Sequence, residues 1–267
     1  MSFDPSVTEW SIRKYAGDAW TEEDDPVAVE FPLTVFVNDA EFATLVCSPT
    51  HLEEMTVGFL ASEGVIRSHG DIADMSIDTE RGFAYVGLVR KDTLDPAIFS
   101  KRRIGSCCGK SRQSYYFHAD AQTAKPIESS LTIDAARCYE LMRHLHSASD
   151  THRHTGGVHG AALCGDMGIA AHYTDIGRHN ALDKLYGYCL MHGLSAADKP
   201  IAFSGRLSSE VVLKAVKIGS PILLSKSAPT DLGLALADEL GLTAVGFLRG
   251  GGMNVYTHPE RIVAHFM

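Results

Sequence analysis

From Ala161 onward the chain sets short apolar segments and helix-length amphipathic segments in strict succession, and this rhythm constrains the fold more than any other feature. AALC, a Gly-Asp turn and IAAHYT read as two strands. A helix from about Asn180 then carries Leu182, Leu185, Tyr186, Cys189 and Leu190 on one face and stops at Gly193. IAFS, a helix over residues 208–218, PILLS, a helix over residues 230–240 and TAVGFL follow. A βαβαβαβ run implies a largely parallel sheet covered by helices. The class is therefore α/β. A chain of 267 residues, 45% hydrophobic and 21% charged, has material for one large core of this kind or for a core with a smaller appendage.

The preceding residues supply the appendage. Residues 1–25 are polar, end in EEDDP and read as a flexible arm. VAVEFPLTVFVND is β-branched and alternating, and Asn38-Asp39 before EFATLVC reads as a hairpin turn. Thr50 opens a helix, with Glu53 completing a capping box; Leu52, Met55, Phe59 and Leu60 share one face and Gly64 ends it. Another strand lies near residues 83–89. This makes residues 26–100 a β-rich N-terminal lobe, 101–130 a cysteine loop with its linker, and 131–267 an α/β domain. That domain opens with a helix carrying Cys138, Leu141, Met142 and Leu145, followed by the histidine-rich HLHSASDTHRHTGGVHG, read as a turn into the repeating pattern.

Two adjacent thiols, Cys107 and Cys108, sit in KRRIGSCCGKSRQSYY, where Lys101, Arg102, Arg103, Lys110 and Arg112 crowd a segment without acids in a chain of net charge −9. Such a field favours thiolate over thiol, the form that attacks sulfur electrophiles, and Gly105 and Gly109 free the backbone on either side. The segment mimics a phosphate-binding P-loop but fails by one residue, because Ile104 stands where the first glycine is needed. A vicinal disulfide would be a strained ring. Cys47, Cys138, Cys164 and Cys189 lie in apolar segments and read as core residues.

The C-terminal ends of the repeating strands are polar: TDIGRHN, SGRLSSE, SKSAPT and FLRGGG. In α/β sheets ligands bind beyond this edge, so Arg178, Arg206, Lys226 and Arg249 are expected to converge there. The glycines of Phe247, Leu248, Arg249, Gly250, Gly251 and Gly252 allow backbone amides to approach a dinucleotide pyrophosphate, and His159 and His179 are polar groups close to the same edge. No Gly-x-Gly-x-x-Gly follows a strand, so a nicotinamide or flavin site has no support. His51-Leu52-Glu53 mimics a deaminase triplet, but no Pro-Cys-x-x-Cys follows, no His-Glu-x-x-His occurs, and no permanently bound metal is expected. The negative net charge argues against nucleic acid and anionic membranes as partners. The absence of a long apolar run or signal-like N-terminus implies a cytoplasmic protein.

Several blocks together carry a family resemblance. VAVEFPLTVFVND, HLEEMTVGFLASEGVI, SCCGK, TGGVHGAA, TDIGRHNALDK, SGRLSSE, KSAPT and GFLRGGGMNVYTHPERI, spread over most of the chain, resemble the FdhD/NarQ family of formate dehydrogenase accessory sulfurtransferases. The resemblance implies a sulfur carrier that takes persulfide sulfur from a cysteine desulfurase. It passes that sulfur to the molybdenum bis-guanine-dinucleotide cofactor, bound as substrate, which is destined for apo formate dehydrogenase. It also implies a three-layer α/β C-terminal domain resembling the cytidine deaminase fold without its zinc. Aligning Ser-Cys-Gly with the family's SCGxC motif places the persulfide on Cys108, while the second motif cysteine falls on Ser111 and Cys107 precedes instead. Ser111 cannot resolve a persulfide to a disulfide. Three readings stay open there: the second cysteine is dispensable, Cys107 replaces it, or the chain is a non-catalytic cofactor-binding chaperone. Thr174 also departs from the family, which often has an acid at that place. A redox sensor built on the paired thiols is a further alternative, and two nucleotide arms on one cofactor suggest a homodimer.

Overall fold

The computed structural model describes residues 4–90, the backbone of Arg102–Ile104, and residues 124–264. The repeating half forms a six-stranded sheet in the order β10-β9-β11-β12-β13-β14. Its strands are β9 (His159–Gly165), β10 (Gly168–Asp175), β11 (Ile201–Phe203), β12 (Ile222–Ser225), β13 (Thr243–Arg249) and β14 (Gly252–Val255). The expectation of a largely parallel sheet is corrected: only β11-β12 and β12-β13 pair in parallel. The physical reason lies in the connections. Parallel neighbours need a crossover, supplied here by the helices Ser209–Ile218 and Asp231–Glu239, whereas β9-β10 and β13-β14 are joined by tight turns that can only return antiparallel.

Alternate strand residues face opposite ways and build two cores. Ala161, Leu163, Ile201, Phe203, Leu223 and Ala244 pack with helices α4 (Arg178–Met191), α5 (Ser209–Ile218) and α6 (Asp231–Glu239). Ala162, Cys164, Ala202, Leu224 and Val245 pack on the other face against Cys138, Leu141, Met142 and Leu145 of α2 (Ala135–Ser147). Helices thus cover both faces of the sheet. The capping residues Asp134 and Thr230 accept from the backbone amides of Ala136 and Gly233, which fixes where α2 and α6 begin. The histidine-rich stretch, expected as a turn, instead holds a short helix, α3 (Asp150–Thr155), capped by Ser149 and ended by Gly156 at φ 63.

The first half is built on a five-stranded sheet ordered β5-β6-β3-β4-β7. Its strands are β3 (Phe31–Val37), β4 (Ala40–Cys47), β5 (Ile72–Asp78), β6 (Phe83–Leu88) and β7 (Arg102–Ile104), covered by α1 (Leu52–Ser62). Asn38 and Asp39, at φ 48 and 67, make the expected hairpin turn. Two local readings are corrected. The helix begins at Leu52 after His51 in the left-handed region, with no side-chain cap, so there is no capping box at Thr50. The polar arm is a hairpin, β1 (Val7–Ala16) and β2 (Ala19–Ala28), paired over its whole length. Its polarity reflects solvent on both faces rather than want of structure.

The two halves meet at α1 and α4. One side of α4 enters the core of the six-stranded sheet, while Tyr186, Leu190 and Met191 pack on the core beneath α1. The helices touch backbone to backbone: a Cβ on Gly58 would stand 1.7 Å from the Asp183 carbonyl oxygen, and one on Gly187 would stand 1.9 Å from that of Glu54. Neither atom can move without unwinding a helix. Gly58→Ala is accordingly expected to cost about 3 kcal/mol, read as a fall of roughly 6–12 °C in the thermal midpoint. An unchanged midpoint would mean that the helices are not seated this closely.

Candidate functional site

A cavity of about 570 Å³ opens between α2, α3 and the strand ends of the six-stranded sheet. Tyr139, Met142, Leu145 and Leu248 give it an apolar wall, and Arg143, Arg153, Lys226 and Arg249 give it cations; no carboxylate is among the described residues that line it. Gly250 and Gly251, at φ 60 and 81, let β13 turn back into β14 at the rim. Phe247 is a non-glycine residue at φ 53, anchored by its amide donating to the Ser227 carbonyl at 3.2 Å. The Arg249 guanidinium lies 5.7 Å from the centre of the Phe247 ring, which gives that arginine a shelf.

Behind this rim the strand ends are laced by serines. The Gly160 amide donates to Ser204 Oγ at 2.9 Å, and His159 Nδ1 lies 3.1 Å from the same oxygen. Ser227 Oγ donates to the Ser204 carbonyl at 3.0 Å. Burial and then the Arg178 charge push the His159 pKa below the usual imidazole value, so this ring stays neutral. His146, on the cavity wall, is lowered by burial and by the Lys226, His152 and Arg153 charges. Burial is the larger cause of both shifts, and the neighbouring cations add to it in the same direction. The hollow thus sets an apolar wall opposite a group of cations, a surface that complements a ligand with both an apolar part and negative charge.

Of the residues singled out in the sequence, the structure brings Lys226, Leu248, Arg249, Gly250 and Gly251 together in the cavity. His159 stands one hydrogen bond behind it, through Ser204. Arg178, His179, Arg206, Phe247 and Gly252 are not among the lining residues; His179 Nε2 faces Glu210 at 3.4 Å. Cys107 and Cys108 lie outside the described residues. Sequence reasoning missed Tyr139, Arg143, His146, His152 and Arg153. The signal was available for three of them, since Tyr139, Arg143 and His146 are spaced i, i+4, i+7 on the amphipathic helix α2. Burial pushes the Cys47 and Cys138 thiols up to about 12 and those of Cys164 and Cys189 up to about 11, so these four are inert core residues, as expected. No group of metal-ligating side chains occurs among the described residues, and none of their helices is long and apolar enough to cross a membrane.

The TDIGRHNALDK block serves chiefly as a clasp between the two halves. Asp175 and Lys184, both fully buried, meet at 2.7 Å. Asp175 accepts from the amides of Ser48 at 2.9 Å and Gly177 at 2.8 Å and from Asn180 Nδ2 at 2.9 Å. Asn180 Nδ2 also donates to the Val46 carbonyl at 2.9 Å, and Lys184 Nζ to the Ser48 and Thr174 carbonyls at 3.3 and 3.2 Å. The C-terminal end of β4 is therefore fixed to the start of α4. A second clasp joins Asp183 to Ser62 Oγ, which donates at 2.6 Å, and to Lys214 of α5.

A helix-covered mixed sheet with a cationic, partly apolar hollow at its strand ends defines the class as an α/β protein. The chain belongs to the FdhD/NarQ family, whose model matches residues 28–263. It is 57% identical over 252 residues to the sulfur carrier protein FdhD of Geobacillus kaustophilus, an overlap of 94% of this chain and 95% of that one. It is 54% identical over 251 residues to the protein of the same name from Bacillus subtilis, with the same shares. Its fold matches the crystal structure of a Desulfotalea psychrophila protein described as a formate dehydrogenase accessory protein, with a TM-score of 0.79 and 28% identity over 97% of this chain and all of that one.

The clasp makes a direct prediction. Lys184→Met strands the Asp175 carboxylate without its ammonium partner and is expected to cost about 3–5 kcal/mol in denaturant unfolding, part of which Asp175→Asn in the same chain restores. Equal stability of Lys184→Met and the wild type would remove the clasp from the account.

Proposed function

We propose that this chain is a sulfur carrier that accepts persulfide sulfur from a cysteine desulfurase and delivers it to the molybdenum bis-guanine-dinucleotide cofactor of formate dehydrogenase. The observation that carries the reading is the 57% identity over nearly the whole chain to a protein named as a sulfur carrier. The chemistry of the cysteines supports it. Of six cysteines in the chain, the four described ones are sealed in cores with raised pKa values, which leaves sulfur chemistry to Cys107 and Cys108 in their basic surroundings.

In the proposed step the Cys108 thiolate attacks the outer sulfur of the desulfurase persulfide, forming Cys108–S–SH and releasing the desulfurase thiolate. The outer sulfur then passes as sulfane sulfur to the metal of the bound cofactor in its reduced state, whose two electrons make it a sulfido ligand, and the Cys108 thiol returns. The cofactor is substrate here, not a resident group. In this reading its guanine arm occupies the cavity, with the diphosphate held by Lys226, Arg249, Arg143 and Arg153 and the base flanked by Tyr139, Leu145 and Leu248, a reading supported by their presence in its lining. Arg178, His179, Arg206 and His159 form an outer polar layer in this reading. β7 pairs in parallel with β4, so Ile104 stands beside Leu45 near the clasped end of β4, and Cys107 follows it by three residues in the sequence, at most about 10 Å of extended chain.

With one nucleotide arm per cavity in this reading and two arms on the cofactor, two copies of the chain are proposed to share one cofactor. Apo formate dehydrogenase is the proposed recipient and the cytoplasm the proposed compartment. The test is incubation with a cysteine desulfurase, cysteine and labelled sulfur, followed by mass-spectrometric mapping in wild type, Cys107→Ala and Cys108→Ala. The label is expected on Cys108 and is expected to be lost in Cys108→Ala. Label that persists there moves the carrier to Cys107; no label on either thiol supports instead a chaperone that binds the cofactor without sulfur chemistry.

A further inference from the structure

The chain has two tryptophans, and both stand in water on the N-terminal hairpin: Trp10 is 65% exposed and Trp20 is 62% exposed. Tyr15, 57% exposed, lies 5.2 Å from Trp20 between ring centres, with the Arg13 guanidinium 5.4 Å over the Trp20 ring. Trp10 and Ile12 fall on the opposite face by strand alternation. The hairpin is a sheet of two strands only, tied to the body at its base, where Ser6 Oγ and Thr151 Oγ1 lie 3.4 Å apart. A two-stranded ribbon is marginal in water by itself, and aromatic side chains on both faces deepen the problem.

Its two edges differ. The outer edge of β2 carries Glu22, Glu23, Asp24, Asp25 and Pro26, a run of charge and a missing donor that guard against strand addition. The outer edge of β1 has neither, and among the described residues no strand lies beside it. The turn at Gly17 and Asp18, φ 57 and 65, closes on the pair Ala16 and Ala19. Counting back from that hydrogen-bonded pair, Glu9, Ser11, Arg13 and Tyr15 direct their backbone N–H and C=O groups away from β2.

We infer that β1 is the edge along which two copies of this chain pair, antiparallel about a two-fold axis through Ser11, to make a four-stranded sheet. The strand is self-complementary in that register. Glu9 faces Arg13 of the second copy on both sides of the axis, Trp10 faces Ile12 of the second copy, and the outward-directed groups of Glu9, Ser11 and Arg13 supply about six backbone hydrogen bonds. Shifting the axis to Trp10 sets Glu9 against Ser11 and stacks the two Trp10 side chains on each other. Shifting it to Ile12 sets Glu9 against Tyr15 and Trp10 against Lys14. Only the Ser11 register satisfies charge and apolar partners together. The arrangement is isologous, as closed two-fold pairs are, and uses strand addition as its mode of recognition. It rests on the two-protomer part of the functional reading and names the surface.

The test is sedimentation equilibrium of the full chain together with its tryptophan emission, which reports on the hairpin alone. The wild type is expected to dimerise with a blue shift in emission as Trp10 leaves water. Glu9→Arg, which sets like charges opposite each other twice, is expected to weaken the dimer about tenfold or more, and Glu9→Arg with Arg13→Glu to restore it. Ser11→Pro is expected to abolish the dimer while sparing the hairpin, because the lost N–H faces away from β2. A wild-type dimer that survives both Glu9→Arg and Ser11→Pro overturns this interface and leaves the two-protomer reading standing. A wild type that is monomeric at every concentration overturns both.

Discussion

The contact on which the rest of the molecule depends is the backbone crossing of α1 and α4 at Gly58 and Gly187. Because the helices meet without intervening side chains, α4 lies close enough to both sheets to belong to two cores at once. The cost of that position is a helix with no solvent side for its polar residues. Asn180, Asp183 and Lys184 are all buried on α4, and each finds its partner across the junction on β4, α1, α5 or Asp175. Buried ionic pairs of this kind add little net stability over an apolar packing, but losing one member is severe. They are better suited to fixing one arrangement of the two halves than to strengthening it.

Fixing that arrangement matters for the proposed chemistry because binding and sulfur handling come from different halves. The cationic hollow is made by α2, α3 and the strand ends of the six-stranded sheet, while the strand that leads to Cys107 and Cys108 is held by β4 in the other sheet. The end of β4 is the part gripped by Asp175, Asn180 and Lys184. The same residues set the start of α4, where Arg178 sits with its Cβ facing Gly205. One set of buried contacts thus holds together the two parts of the chain to which the proposal assigns binding and sulfur handling.

Much of this was legible in the amino-acid sequence where a local rule governs the outcome. Asn38-Asp39 turns because both residues tolerate the left-handed region, α6 starts where Thr230 can cap it, and Lys226 and Arg249 reach the cavity because strand ends in α/β sheets gather there. The failures share a different cause: the deciding partner was distant. The hairpin of β1 and β2 looked unstructured because nothing in it faces a core, and α3 looked like a turn because its His152 and Arg153 line a cavity rather than a hydrophobic face. The antiparallel returns at both ends of the larger sheet are an exception, set locally by the tight turns that join β9 to β10 and β13 to β14 and passed over in favour of the strand–helix rhythm. Arg143 and Arg153 escaped notice because they arrive from helices outside the repeating pattern.

The claim at the centre of the account is that the hollow between α2, α3 and the strand ends grips a nucleotide diphosphate. Calorimetric titration with GDP measures this without the metal or the sulfur. The account predicts one site per chain, weakening with salt, and a loss of at least about thirtyfold in affinity when Lys226→Ala and Arg249→Ala are combined. Binding of undiminished affinity in that variant, or no binding by the wild type at millimolar GDP, would contradict it.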